Sequence, residues 1–263
     1  MHMMELTSRR LASDIKSEHE VRYRPHQSLY LDGDPAHSVF RVTSGVVIVY
    51  RLLPDGRRQI YSFATQGDFL ALDLGRTYRH YAEAITEVSV EVYERTSFEQ
   101  ALQRDADFRR AIFSYLTESL LAAQEQAILL GCKSALERTA SFLCFLYEKS
   151  PARAPGAYIV IRMSRSDIAD YLGLTFETVS RMLHRMKDLG VIDLPKPDRF
   201  KVLDWQALAK LAGKQSAQRW VEPRPARMPG LAGRSRTSAV EGASRLRHAN
   251  DCRPVDSSIA RSH

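Results

Sequence analysis

Three side chains between residues 177 and 181 carry groups that proteins use to read DNA bases. They are Glu177, Ser180 and Arg181, whose spacing of three and four residues places them on one helical face. Arginine pairs bidentately with guanine, glutamate accepts from the N4 amine of cytosine, and serine bonds either way. The spacing therefore predicts a helix that reads base edges. An ordinary amphipathic helix with a solvated Glu177–Arg181 pair is the alternative that spacing alone leaves open.

The surrounding residues predict a helix-turn-helix over about 164–187. Ser164 and Asp167 form a capping-box pattern at the start of a first helix, and Gly173 supplies the positive φ of a sharp turn. Thr175 is the candidate N-cap of the second helix. The buried side of that second helix is predicted from four apolar residues at i, i+3, i+4 and i+7: Val179, Met182, Leu183 and Met186.

Residues 195–199 predict the turn of a β-hairpin that follows the second helix, which is the wing of a winged helix. A strand is also expected over 158–163, before the first helix. Basic and polar residues around the reading face are candidate phosphate contacts, which position a protein without reading sequence. The candidates are Arg165, Thr175, His184, Arg185, Lys196, Arg199 and Lys201. Taken singly, the charged members also fit solvated surface residues.

A small β domain is predicted over residues 21–107. Four glycines recur at intervals of 11 or 12 residues in turn-forming settings, namely Gly33, Gly45, Gly56 and Gly67. Runs rich in β-forming residues lie between them, at 39–42, 46–50 and 59–63. Val88, Val90 and Val92 alternate with polar residues, which predicts a further strand. Short strands at this spacing favour a sandwich or barrel.

A long helix is predicted over 108–131, a stretch without proline. Six of its apolar residues follow the 3-4-3-4-3 spacing of a heptad seam: Phe113, Leu116, Leu120, Ala123, Ala127 and Leu130. A helix packed on its own β domain is the alternative interpretation. Residues 134–149 predict a second amphipathic helix, and a DNA-binding domain is expected over 132–213.

The composition fits a globular protein, with 44% hydrophobic and 26% charged residues among 263. No apolar run approaches the ~18–20 residues of a membrane span, and the N-terminus lacks an apolar secretory region. We therefore expect a cytoplasmic protein with no membrane partner. The net charge is +7, but residues 214–263 hold ten basic and four acidic residues. This tail is expected to be disordered, and residues 1–20 are expected to form an arm.

These motifs resemble the Crp–Fnr family of bacterial transcription regulators, and the Fnr and FixK branch most closely. The resemblance rests on Asp167-Ile168, on residues 171–175 (YLGLT) and on residues 177–181 (ETVSR), and it extends over roughly 20–213. It implies an α+β fold: an N-terminal β-roll, a jelly roll like that of cyclic-nucleotide-binding modules, then a long dimerisation helix and a C-terminal winged helix-turn-helix. It also implies that the reading face contacts operator bases and that the heptad seam joins a homodimer.

The implied function is an activator of genes for microaerobic respiration or nitrogen fixation that binds double-stranded DNA at a TTGA–N6–TCAA-like palindrome. RNA polymerase is the implied partner, through surfaces that include the loop at 72–75. We expect no enzyme, because the chain lacks a nucleophile elbow, a P-loop and metal-ligand spacing.

The β-roll departs from its nucleotide-binding relatives. The nucleotide-binding members of the family carry a Gly-Glu pair and an Arg-(Ser/Thr)-Ala cassette. At the corresponding places this chain has Gly67-Asp68 and residues 78–82 (YRHYA). An iron–sulfur cluster needs about four thiolates, and no cysteine precedes Cys132. We therefore expect no cofactor, as the resemblance to the FixK type implies.

Two alternatives stay open for control of the β-roll. One is a cyclic nucleotide or another small ligand, including haem held by one of His19, His26, His37 and His80. The other is the redox state of Cys132 or Cys144, although packing is the ordinary role of a buried cysteine.

Overall fold

The computed structural model describes residues 19–73, 75–150 and 156–214. The expected arm and tail lie outside these ranges, except for residues 19–20 and Lys214, as does most of the loop expected at 150–156. Within the described ranges no helix is both long and apolar enough to cross a membrane. The chain forms a β domain, a long helix and a C-terminal domain of short helices with a small sheet.

The β domain contains two four-stranded antiparallel sheets, ordered β1-β8-β3-β6 and β2-β7-β4-β5. Its strands are β1 His19–Tyr23, β2 Ser28–Tyr30, β3 Ser38–Ser44, β4 Val47–Leu52, β5 Arg58–Ala64, β6 Phe69–Leu70, β7 Tyr81–Ala84 and β8 Val88–Glu94. The four strands expected from the sequence are confirmed as β3, β4, β5 and β8. The four regularly spaced glycines all have positive φ, between 80° and 93°, as turn residues should.

Strand β4 shows how the second sheet is used on both faces. Val47 and Val49 point into the core between the two sheets. Ile48 lies between them and points to the other face, since side chains alternate along a strand. On that face Ile48, Ile60 and Phe63 are buried together with residues of the C-terminal domain. One hydrophobic core therefore runs from the β domain into the C-terminal domain.

Three helices follow: α1 Arg95–Arg104, α2 Ala106–Cys132 and α3 Ala135–Lys149. Asp105 caps α2 by accepting from the backbone N–H groups of Asp107 and Phe108, at 2.8 and 2.9 Å. One face of α2 packs on the β domain, where the Tyr115 hydroxyl accepts from the backbone N–H of Phe69 at 3.0 Å. Five of the six seam residues are exposed on another face, and in the single chain Leu120 is 59% exposed. The sixth, Leu130, is half-buried against the core that contains the C-terminal domain.

The C-terminal domain places two short helices beside a three-stranded sheet of order β10-β11-β9. Its elements are β9 Tyr158–Val160, α4 Arg165–Leu172, α5 Phe176–Asp188, β10 Ile192–Lys196, β11 Arg199–Val202 and α6 Trp205–Leu211. The strand expected at 158–163 is shorter than predicted. The wing turns at Pro197–Asp198, as expected, and α6 begins at an Asp204 cap that the sequence analysis did not single out.

Candidate DNA interface

The local signals of the helix-turn-helix are present in the structure. Ser164 and Asp167 cap α4 reciprocally, with backbone-to-side-chain bonds of 3.0 Å in both directions. Gly173 has φ +60° at the turn. The Thr175 hydroxyl accepts from the backbone N–H of Thr178 at 3.2 Å and so caps α5. The predicted caps and turn are confirmed, and they fix where α5, the candidate recognition helix, begins.

Helix α5 separates its apolar side from its reading side, because the four predicted core residues are buried: Val179, Met182, Leu183 and Met186. Glu177 and Arg181 are exposed, while Ser180 is half-buried beside them. The structure therefore brings the predicted trio together on one accessible face. The pKa of the Glu177 carboxyl is lowered by hydrogen bonds from the Glu177 backbone N–H and from the Thr175 hydroxyl. This carboxylate is therefore ionised and can accept hydrogen bonds at neutral pH.

The Arg181 guanidinium makes one long contact within its own helix, from Nη2 to the Thr178 hydroxyl at 3.4 Å. Arginine has five N–H donors, so most of its capacity to recognise a base edge is available. One turn further on, the His184 ring is hydrogen-bonded through Nδ1 to the backbone oxygen of Ser180 at 2.8 Å. That bond ties the imidazole to the backbone of the preceding turn of the helix.

Arg165 occupies a different place from the other basic candidates. Its Nη2 donates to the backbone oxygen of Pro197 at 2.7 Å, which ties the start of α4 to the tip of the wing. The side chain is half-buried, and this burial lowers the pKa of its guanidinium. Arg185 and Lys196 are exposed, on the recognition helix and at the end of β10.

Two more candidates lie on the wing sheet. Arg199 is paired with its neighbour Asp198 at 3.2 Å. The ammonium of Lys201 lies 5.8 Å from the ring centre of Tyr158. Residue 200 between them is buried against the helices, so Arg199 and Lys201 point to the outer face of the sheet. Their role as phosphate contacts stays a prediction.

Phe176 was missed by the sequence analysis. It is the first residue of α5 and is 49% exposed. With Ser180 and His184 it lines a groove between the recognition helix and the wing. The available signal was an aromatic residue outside the predicted apolar stripe, at the end of the helix that reaches bases first.

The two cysteines that raised a redox alternative differ in environment. Cys144 is fully buried, and burial raises its pKa to about 11. Its thiol is therefore protonated at neutral pH, which disfavours reaction because the thiolate is the nucleophile. Cys132 is exposed at the end of α2. A redox role for either cysteine stays a prediction.

In the β-roll, the region where nucleotide-binding relatives carry the phosphate cassette, which this chain lacks, is packed with aromatic rings. Tyr30 stacks on Tyr78 at 4.1 Å between ring centres, and its hydroxyl is hydrogen-bonded to His80 Nε2 at 3.0 Å. Burial lowers the pKa of His80, so the ring is neutral at pH 7. In the described part of the chain no cluster of three or more His, Cys, Asp or Glu residues is placed to hold a metal. Ligand control of the β-roll stays a prediction.

A β-roll joined by a long helix to a winged helix-turn-helix defines a class of bacterial transcription regulators. The profile of the cyclic nucleotide-binding domain matches residues 20–105, and that of the Crp-like helix-turn-helix domain matches residues 137–211. The chain belongs to the Crp–Fnr family of transcription regulators, as its relatives also show.

The relatives include the nitrogen fixation regulation protein FixK of Rhizobium meliloti, which is 34% identical over 72% of this chain and 85% of that protein. The transcriptional activatory protein AadR of Rhodopseudomonas palustris is 38% identical over 73% of this chain and 80% of that protein. The solved structure of FixK2 from Bradyrhizobium japonicum has a TM-score of 0.69 at 37% identity. It covers 73% of this chain and 96% of its own.

Proposed function

We propose that the protein is a homodimeric transcription activator that reads a TTGA–N6–TCAA-like palindrome with Glu177, Ser180 and Arg181. One observation carries this proposal: these three side chains share the accessible face of a capped helix whose opposite face is buried. The carboxylate of Glu177 can accept from the N4 amine of cytosine, and the guanidinium of Arg181 can pair with guanine. The hydroxyl of Ser180 can bond to either a donor or an acceptor on a base edge.

The exposed seam of α2 supports the dimer. Phe113 is 64% exposed and Leu120 is 59% exposed in the single chain, and an apolar stripe at heptad spacing is stabilised by a matching stripe on a second helix. Two four-base half-sites around six central bases have centres about ten base pairs apart, which is one turn of DNA. A two-fold dimer therefore presents its two reading faces to the same side of the duplex.

Phe176 extends the proposed contact surface. It lies beside Ser180 at the start of the recognition helix, where side chains reach the bases. Phenylalanine makes apolar contact with the methyl group of thymine. We assign it to a thymine of the TTGA half-site, beside the polar trio.

The biological role follows the relatives, which are named as a nitrogen fixation regulator and an activatory protein. We propose that this chain activates genes of microaerobic respiration or nitrogen fixation in the bacterial cytoplasm, where its DNA lies. Activation requires RNA polymerase, and the loop at 72–75, of which residue 74 lies outside the described residues, is our proposed contact.

The test of this function is selection of bound duplexes from a random DNA library, using the full chain. We expect enrichment of an inverted repeat of TTGA with a six-base spacer. Enrichment of no motif, or of a motif without two-fold symmetry, would contradict the proposal.

Substitution of Arg185 on α5 and of Arg165 on α4 should change the salt dependence of DNA binding differently. Arg185→Ala removes a proposed phosphate contact, so the slope of log K against log salt should fall by about 1 per contact, or about 2 per dimer. Arg165→Ala should weaken binding without changing this slope, because its guanidinium is bonded to the wing. Fluorescence anisotropy over a salt series measures both slopes. Equal loss of slope in the two variants would show that Arg165 also contacts phosphate.

A further inference from the structure

Two neighbouring residues of β5 form hydrogen bonds with α4, the first helix of the helix-turn-helix. Arg58 donates from Nη2 to the Asp167 carboxylate at 2.6 Å and from Nε to the Asp170 carboxylate at 2.8 Å. Gln59 donates from Nε2 to the backbone oxygen of Asp170 at 2.7 Å. These three bonds, here called the clasp, join residues more than a hundred positions apart.

The clasp is partly shielded from water. The Arg58 side chain is 25% exposed, and that of Asp167 is 11% exposed. The Arg58 guanidinium also lies 5.4 Å from the ring centre of Tyr50. Burial lowers the pKa of Arg58, but the bond to Asp170 and the charge of Asp167 outweigh burial and raise it overall. Screening by solvent and salt is weaker here than for an exposed ion pair.

The carboxylate of Asp167 has two duties. One oxygen accepts from the Ser164 backbone and hydroxyl, which caps α4, while the other accepts from Arg58. The cap that starts the helix-turn-helix is thus the same group that the β-roll holds. A capping serine and acid would be satisfied without Arg58, so capping alone does not account for the contact.

The β-roll and α2 hold α4 at its other end as well. The ring of Tyr171 packs 4.9 Å from that of Phe63 on β5. The backbone oxygen of Tyr171 accepts from Gln126 on α2 at 2.9 Å. Since α4 is held near both ends, it cannot pivot on a single contact. Helix α5 packs on α4, so the orientation of α4 sets the orientation of α5.

We propose that Arg58 is a positioning residue that sets the orientation of the recognition helix relative to the β-roll. This inference deepens the proposed function and depends on it for its DNA readout. Arg58 makes no proposed contact with DNA. It acts through Asp167 and Asp170, and its effect is to fix the separation of the two reading faces in the dimer.

The test compares operators with spacers of five, six and seven base pairs. In Arg58→Met the affinity for the operator with the six-base spacer should fall on the order of tenfold, with much smaller losses for the other two operators. The reason is that a helix-turn-helix no longer held by Arg58 engages both half-sites simultaneously less often. Asp170→Asn, which spares the cap, should shift the spacer profile in the same direction but by less, because the Arg58 bond to Asp167 remains. The matched control is Arg57→Met: Arg57 is the adjacent arginine, 78% exposed and paired with Asp55 within its own turn.

A role in stability alone would lower the active fraction and reduce binding to all three operators by the same factor. Such parallel loss in Arg58→Met would overturn the proposal, as would a spacer profile like that of the wild type. Non-additivity should also appear: the Arg58→Met/Asp170→Asn double variant should be no worse than Arg58→Met alone, because the Asp170 carboxylate acts through its bond to Arg58.

A measurement without DNA separates this inference from the proposed function. Spin labels at Ser44→Cys on β3 and Lys210→Cys on α6, in a Cys132→Ser/Cys252→Ser background, report the intrachain distance when labelled chains are diluted with unlabelled ones. Arg58→Met should broaden the distance distribution and Arg57→Met should not. An unchanged distribution overturns the positioning role whatever the DNA results. If Arg58→Met broadens the distance distribution but the wild-type protein shows no preference among the three operators, the positioning role is upheld and the DNA-reading function is refuted.

Discussion

Arg181→Ala is expected to remove most of the preference of the protein for its operator over unrelated DNA. A bidentate arginine–guanine pair contributes about 1–3 kcal/mol of discrimination. The dimer makes two such pairs, so the loss should total about 2–6 kcal/mol, or roughly 30-fold to more than 10,000-fold in the affinity ratio. The fold should persist, because Arg181 is exposed and makes a single 3.4 Å contact with Thr178.

The ratio of operator affinity to scrambled-duplex affinity, measured at one salt concentration, checks this result. Arg185→Ala is the matched control: it removes the same charge from the same helix, and it should weaken both duplexes by similar factors because phosphate contacts carry no sequence information. If Arg181→Ala leaves the ratio at the wild-type value, Arg181 does not read a base.

Leu120→Glu is expected to turn the dimer into monomers and to lower operator affinity by about 100-fold or more, since the second half-site then binds as a separate molecule. Leu120 lies in the middle of the heptad seam and is 59% exposed in the single chain. The substitution therefore places a carboxylate in the proposed dimer contact and not in the core of the chain. Sedimentation velocity and a gel-shift titration measure the two effects.

Ala122→Glu is the control for this variant. It adds the same charge two residues away on an exposed part of α2, outside the seam, and should remain a dimer with wild-type affinity. A Leu120→Glu protein that still sediments as a dimer would exclude the seam as the interface. Monomers that bind the palindrome as tightly as the wild type would exclude dimerisation as the source of affinity.

The helix-turn-helix was predictable because its signals act over one to four residues. A serine and an acid three positions apart make a cap, a glycine permits φ +60°, and the apolar spacing of α5 identifies its buried side. Each signal depends on local backbone geometry. The candidate base-reading face could be deduced from the same periodicity.

Contacts between distant parts of the chain were not predictable in this way. Nothing in the sequence near Arg58 indicates Asp167 as its partner, and Arg165 fits a surface cation until the wing folds over it. Exposed and packed faces of α2 also have similar apolar content, so periodicity identifies a seam but not which residues the β-roll covers. These features depend on tertiary packing, which a single sequence does not reveal.

The structure of the dimer bound to a duplex containing TTGA–N6–TCAA tests the central claim most directly. The expected result is the Arg181 guanidinium within about 2.7–3.2 Å of guanine N7 and O6 in both half-sites, with Glu177 accepting from a cytosine amine. Reading faces that contact phosphates alone, or that lie outside the major groove, would contradict it.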